Sequence, residues 1–231
     1  MLRVSLAVAF ATLLPLAAPA QDKPVNLFNG KDLAGWKLKG NNEAKSKWVV
    51  GKATMDDKTG KLVVGPAGED AADRHLINSA GGVDLFTEQK FGDGTFELEF
   101  MVPKGSNSGI YLMGEVEIQI LDSFGKEKVG PGDLGGIYGS AAPKVNASKK
   151  PGEWQKFIIE YQAPKFEGDK KVANMKIVKV VLNDQVIHEN VEVKGPGGGA
   201  LTGKEGPTGP LLFQGDHGPV AFRTIKFTPK K

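Results

Sequence analysis

The run from Thr95 to Val102 alternates without a break, with Phe96, Leu98, Phe100 and Val102 on one side and Glu97 and Glu99 on the other. Successive side chains of a strand point to opposite faces, so this run predicts a strand laid over a core on one face and wetted on the other. No segment beyond the first twenty residues sustains a 3.6-residue pattern, and 31 glycines and 14 prolines cut the chain into short runs. That punctuation belongs to an all-β chain. Further strands are expected at residues 47–55, 61–64, 84–88, 108–113, 115–121, 153–162, 176–182, 186–193, 211–214 and 220–228. Residues 26–36 form a turn-rich opening, and Asn183-Asp184 is a two-residue hairpin signal. Phe96, Leu98, Phe100, Val116, Ile118, Ile120, Ile158 and Phe222 are expected to point inward.

The stretch Val116 to Ser123 carries the chemistry. Strand alternation puts Glu115, Glu117 and Gln119 on one face and Val116, Ile118 and Ile120 on the other. Acids and amides repeat ~7 Å apart along such a face, which suits a sugar-binding or catalytic cleft and equally a solvated face. Two long Gly- and Pro-rich segments, 123–136 and 194–209, have the composition of binding loops or of plain surface excursions.

The N-terminus reads Met1-Leu-Arg3, then an apolar run to Leu16, then Ala18 and Ala20 in the −3 and −1 positions of a cleavage site. This predicts a secretory signal peptide over residues 1–20 and a periplasmic or secreted mature chain over 21–231, without a membrane anchor. No cysteine follows for lipidation. Losing the leader removes Arg3 and no acid, leaving 29 basic against 27 acidic side chains, a charge of +2. No basic stripe argues for nucleic acid. The absence of cysteine removes thiolate metal sites and Cys nucleophiles and suits a periplasmic chain that rests on its core. The mature length fits one β-sandwich domain; oligomeric state is not written in the sequence.

Several blocks together resemble one family. They are residues 26–36 (Asn-Leu-Phe-Asn-Gly-Lys-Asp-Leu-Ala-Gly-Trp), Asn107 to Leu112, Glu117 to Ser123, Gly136 to Gly139, Pro151 to Trp154, Gly209 through Gln214-Gly-Asp-His-Gly218, and Val220 to Arg223. Their order and content are similar to the 3-keto-disaccharide hydrolase domain. The resemblance implies a concanavalin A-like jelly-roll sandwich of two curved antiparallel sheets, akin to laminarinase-type glucanases. It also implies activity on glycosides oxidised at C3, by hydrolysis or by elimination followed by hydration. A carbohydrate-binding module using the same concave face is the alternative, and a structural domain the third.

Laminarinase-type enzymes use a Glu-x-Asp-x-Glu strand, and a retaining pair needs two carboxyls ~5–5.5 Å apart. The corresponding run here is Glu115-x-Glu117-x-Gln119, and glutamine is neither acid nor carboxylate nucleophile. A 3-keto sugar asks for less: one base for the acidified C2 proton and one group to stabilise the enediolate. Glu117 and His217 are the candidate catalytic pair. Asn107, Gln119, Asp122, Arg223 and Trp154 are candidate substrate contacts. A divalent cation is a candidate for the stabilising task, with Glu117, Asp122 and His217 as ligands. Arg223, on an apolar face, needs a carboxylate partner such as Asp122 or Glu117. Trp36, Trp48 and Trp154 can stack on a sugar or anchor the core. His75 is expected in a loop and His188 on an exposed hairpin strand.

Overall fold

A computed structural model describes residues 23–230; the expected signal peptide lies outside the described residues. The strands run β1 (Val25–Asn26), β2 (Trp36–Leu38), β3 (Trp48–Met55), β4 (Leu62–Gly65), β5 (His75–Asn78), β6 (Leu85–Phe91), β7 (Gly94–Met101), β8 (Asn107–Leu112) and β9 (Val116–Leu121). They continue as β10 (Gln155–Gln162), β11 (Lys165–Glu167), β12 (Lys170–Ala173), β13 (Met175–Leu182), β14 (Gln185–Val193), β15 (Gly209–Phe213) and β16 (Val220–Pro229). A nine-stranded sheet follows the order β14-β13-β10-β7-β16-β5-β3-β4, with β1 on β16, and a five-stranded sheet follows β2-β6-β15-β8-β9. The short pair β11-β12 stands apart from both. The protein is an all-β jelly-roll sandwich.

The core lies between the two sheets. Phe96, Leu98 and Phe100 of β7 enter from the large sheet, and Ile110 and Leu112 of β8 with Val116, Ile118 and Ile120 of β9 enter from the small one. Phe213 of β15 stacks on Phe222 of β16 with ring centroids 3.9 Å apart, joining the sheets face to face. Trp36 and Trp48 flank that stack, and each donates its indole N–H to a backbone carbonyl, Leu27 at 2.9 Å and Val83 at 2.7 Å. Both are core anchors with satisfied polar edges. Burying each large side chain contributes about 1.5–3 kcal/mol.

Three expectations are corrected. Ile158 does not point inward: on β10 the inward residues are Phe157, Ile159 and Tyr161, while Ile158 is half-buried beside Glu97 on the outer face. His75 is not in a loop; it opens β5 and is buried, its Nδ1 accepting from the Ala53 N–H at 2.9 Å. His188 is not exposed either; its ring lies buried against the Gly135 carbonyl at 2.8 Å. The Asn183-Asp184 pair does turn the β13–β14 hairpin, with both residues at positive φ (49° and 67°) as that tight turn requires.

A β-bulge shapes β16. Its register against β7 shifts between Arg223 and Lys226, and Thr224 sits at φ 52°. Phe222 and Ile225 consequently both reach the core although three residues apart. Arg223 is left on the outer face of the large sheet.

Candidate functional site

The outward face of the small sheet is polar because β8 and β9 each place their apolar residues inward. Asn107, Gly109 and Tyr111 face out from β8, and Glu117 and Gln119 from β9, with Tyr111 directly opposite Glu117 and Gly109 opposite Gln119. Glycine at 109 has a steric reason: a Cβ there would overlap the Glu117 carboxyl, which lies across this position. These residues floor a cavity of about 270 Å³ whose walls include Lys39, Asp84, Tyr138, Gly198, Gln214, Asp216 and His217.

The walls come from five connections, and hydrogen bonds tie four of them together. Asp84, just before β6, accepts the Gly215 N–H at 2.9 Å with one carboxylate oxygen and pairs with the Lys39 ammonium at 3.1 Å with the other. Lys39 Nζ also donates to the Gly199 carbonyl at 3.1 Å. The Tyr111 hydroxyl donates to the Gly198 carbonyl at 3.1 Å. The turn after β15 that carries Asp216 and His217 is held by the buried Asn78 amide, which donates to the carbonyls of Gly215 and Gly218, both at 2.9 Å. His217 Nδ1 hydrogen-bonds the Asp216 carboxylate. A carboxylate only accepts, so Nδ1 carries the proton and Nε2 is the ring atom left to exchange one.

Glu117 is 4% exposed. Burial pushes its carboxyl up to about 7; Asp216 and Asp84 add to the rise, and the Tyr111 hydroxyl and His217 oppose it. Burial, with the Glu117 carboxylate alongside, pushes the Tyr111 phenol far above its ordinary range. Asn107 and Gln214 each keep a buried amide oxygen with no protein donor. The cavity therefore holds a carboxyl poised near neutral pH, an imidazole at its rim, a lysine with one donor unused, and amide oxygens able to accept from hydroxyls.

Of the residues singled out from sequence, Glu117, His217, Asn107 and Gln119 meet in this cavity. Asp122 does not. It lies just past the end of β9, where alternation stops, and its carboxylate accepts the backbone N–H of Gly105 at 2.9 Å and of Phe124 at 3.4 Å. Neither Arg223 nor Trp154 is there. The Arg223 guanidinium pairs with Glu99 at 3.1 and 3.2 Å and lies 4.2 Å over the Trp154 ring, on the far side of the sandwich. The expected metal set of Glu117, Asp122 and His217 is not brought together, because Asp122 lies past the end of β9, outside the cavity that Glu117 and His217 share. Among the described residues no group of three or more His, Cys, Asp or Glu is placed to hold a cation.

The segment 123–136, a candidate binding loop from its composition, does not line the cavity. Asp133 ties it to itself through Ser123, Lys126 and Gly130, and the following residues pair along the edge of β9, which brings Tyr138 to the cavity. The segment 194–209 does contribute, through Gly198 and Gly199. Tyr111, Lys39, Asp84 and Gln214 were missed. Tyr111 was legible, standing two residues beyond Gly109 on the same face; Lys39 and Asp84 are far apart in sequence and carried no signal.

A jelly roll with such a cavity on its small sheet defines the class, a carbohydrate-active, hydrolase-like β-sandwich. The chain belongs to the 3-keto-alpha-glucoside-1,2-lyase-like domain family, whose profile matches residues 23–228. A Bacteroides thetaiotaomicron protein named 3-keto-disaccharide hydrolase is 32% identical over 110 residues, covering 48% of this chain and 33% of that protein. The match thus spans about a third of that relative's length. A Parabacteroides distasonis protein assigned as a glycosyl hydrolase has a crystal structure similar at a TM-score of 0.64 and 28% identity, over 96% of this chain and 94% of that one. A second structure from that organism, also assigned as a glycosyl hydrolase, aligns at a TM-score of 0.60 and 19% identity, over 90% of this chain and 94% of its own; at that identity the likeness is one of fold.

Proposed function

We propose that this protein cleaves glycosides whose sugar carries a ketone at C3, with Glu117 as the base. The observation that carries the proposal is the Glu117 carboxyl buried on the floor of a polar cavity with His217 at the rim, where burial pushes it up to about 7. Membership of the family and the name of the Bacteroides relative supply the substrate class. Ordinary retaining hydrolysis needs a second free carboxyl ~5–5.5 Å away. On this strand the outward position after Glu117 is Gln119, and Glu115 is engaged by Thr202 and Gly203.

The C3 ketone acidifies the proton on C2. Glu117, as carboxylate, takes that proton, and the electron pair is delocalised as an enediolate onto the C3 oxygen. The remaining N–H of Lys39 is available to that oxygen, a fixed donor where charge develops. The pair then returns to form the C1–C2 double bond as the C1–O bond breaks, and the aglycone leaves with the Nε2 proton of a protonated His217, whose Nδ1–H stays on Asp216. Water adds across the double bond to complete net hydrolysis. Asn107, Gln119 and Gln214 accept from or donate to the sugar hydroxyls. The protein is further proposed to act outside the cytoplasm after loss of residues 1–20.

The test is turnover of a purified 3-keto-glucoside by the wild type, Glu117→Gln and His217→Ala, each with and without chelator. Losses of about 10²-fold in either variant support the assignment, and the chelator arm reads whether a divalent cation assists. Full activity in both variants removes this site. Sugar binding without turnover in the wild type makes the protein a carbohydrate-binding module instead.

A further inference from the structure

The geometry points to Glu115 as a positioning residue that clamps the segment 197–203 against the cavity and, through it, fixes Tyr111 and Lys39. The inference rests on the proposed function for its kinetic consequence only. Glu115 is 4% exposed, and three protein donors engage its carboxylate. One oxygen accepts from the Thr202 N–H at 3.1 Å and the Thr202 hydroxyl at 2.7 Å, and the other accepts from the Gly203 N–H at 2.9 Å. The same hairpin turn reaches the segment through its backbone. Gly197 N–H donates to the Glu115 carbonyl and Leu201 N–H to the Gly114 carbonyl, both at 2.8 Å.

Between those anchors the chain bows over the cavity and presents two carbonyls. Gly198 receives the Tyr111 hydroxyl and Gly199 receives the Lys39 ammonium, both at 3.1 Å. A phenol has one proton to give. Drawn toward Gly198, that proton is shared, and the Glu117 carboxylate directly across the strand pair receives only part of its effect. The groups facing Glu117 are Tyr111 from β8, Asp84 before β6, Asp216 and His217 from the turn after β15, and Lys39 after β2. Of these, Tyr111 and Lys39 are the two that the clamped segment holds. Releasing the clamp therefore lets the phenol turn fully to Glu117 and frees the lysine, which changes the base and the shape of the cavity together.

The experiment compares wild type, Glu115→Gln, Thr202→Val and Thr202→Ser. Amide hydrogen exchange over residues 197–203 is measured without substrate, the Glu117 carboxyl is titrated by carbon NMR, and KM and kcat are measured on a 3-keto-glucoside. Glu115→Gln and Thr202→Val are expected to accelerate exchange in the segment, to move the Glu117 titration to lower pH, and to raise KM about tenfold, the size of one lost hydrogen bond to a charged group, with kcat changed less than threefold. Thr202→Ser keeps the hydroxyl and is expected to behave as wild type. Unchanged exchange in both disruptive variants overturns the clamp. Faster exchange with an unmoved Glu117 titration overturns the positioning role. A wild type without turnover overturns the proposed function but leaves exchange and titration to decide on Glu115.

Discussion

At the scale of the residue, Glu117 is the group whose protonation the fold controls. Its ordinary carboxyl value is near 4.5, and in the folded protein burial raises it to about 7. The folded state thus binds a proton more tightly than the unfolded chain. Stability from this group is fully present below the unfolded value and is lost as pH rises through about 7. Glu117→Gln, which has no charge to bury, is expected to gain stability relative to wild type at pH 8 and not at pH 4, by up to about 3 kcal/mol; denaturant midpoints at the two pH values check this. The same value sets the activity profile: wild-type kcat/KM should fall as pH drops below about 7, as the base protonates. Gly109→Ala would push its methyl into the Glu117 side chain. It is expected to cut turnover about tenfold or more while lowering the melting temperature little, because the carboxyl can swing away from a cavity but not back into register. Glu117 and Gln119 could be found from sequence because strand alternation assigns them a shared face, whereas Asn107, on the neighbouring strand, was legible only in a family-like block. Arg223 and Trp154 could not be excluded that way, since period 2 does not say which of two sheets a strand joins.

At the scale of the element, phase errors have local causes. β10 carries Phe157, Ile159 and Tyr161 inward and Lys156, Ile158 and Glu160 outward, and Trp154, just before it, packs on a small apolar patch of Ala53, Ile77, Met101 and Ala221. Alternation was plain there, and Lys156 and Glu160 on the face of Ile158 marked the solvent side, so the inward assignment of Ile158 took the wrong one of the two phases. Phe157→Ala is expected to cost about 3–5 kcal/mol and Ile158→Ala much less, a contrast that urea titration of the two variants reads directly. β5 was invisible because its four residues are all buried and so do not alternate at all. β16 alternates only to Arg223, after which the bulge resets the phase. β7, β8 and β9, by contrast, each have one apolar and one polar face, and these are the strands that carry the core and the cavity.

At the scale of the whole molecule, the sandwich separates two tasks. The inward faces of both sheets make the core, and the outward face of the small sheet makes the cavity, while the outward face of the large sheet keeps Arg223, Glu99 and Trp154 as a self-contained cluster. Glu99→Gln is accordingly expected to leave turnover within about twofold of wild type, since the ion pair it breaks is partly exposed and lies across the core from the chemistry. The jelly roll was legible from alternation, glycine content and the order of the family-like blocks. The tying of four distant connections by Asp84, Lys39 and Asn78 was not, because those contacts exist only once the strands are in place. The most direct test of Glu117 as the C2 base is cleavage of a 3-keto-glucoside in deuterium oxide, followed by proton NMR at early times. The account predicts that wild-type protein releases the aglycone with solvent deuterium at C2 of the product, and that Glu117→Gln slows that release by about 10²-fold. Aglycone release with the C2 hydrogen retained, or at an undiminished rate in Glu117→Gln, would contradict it.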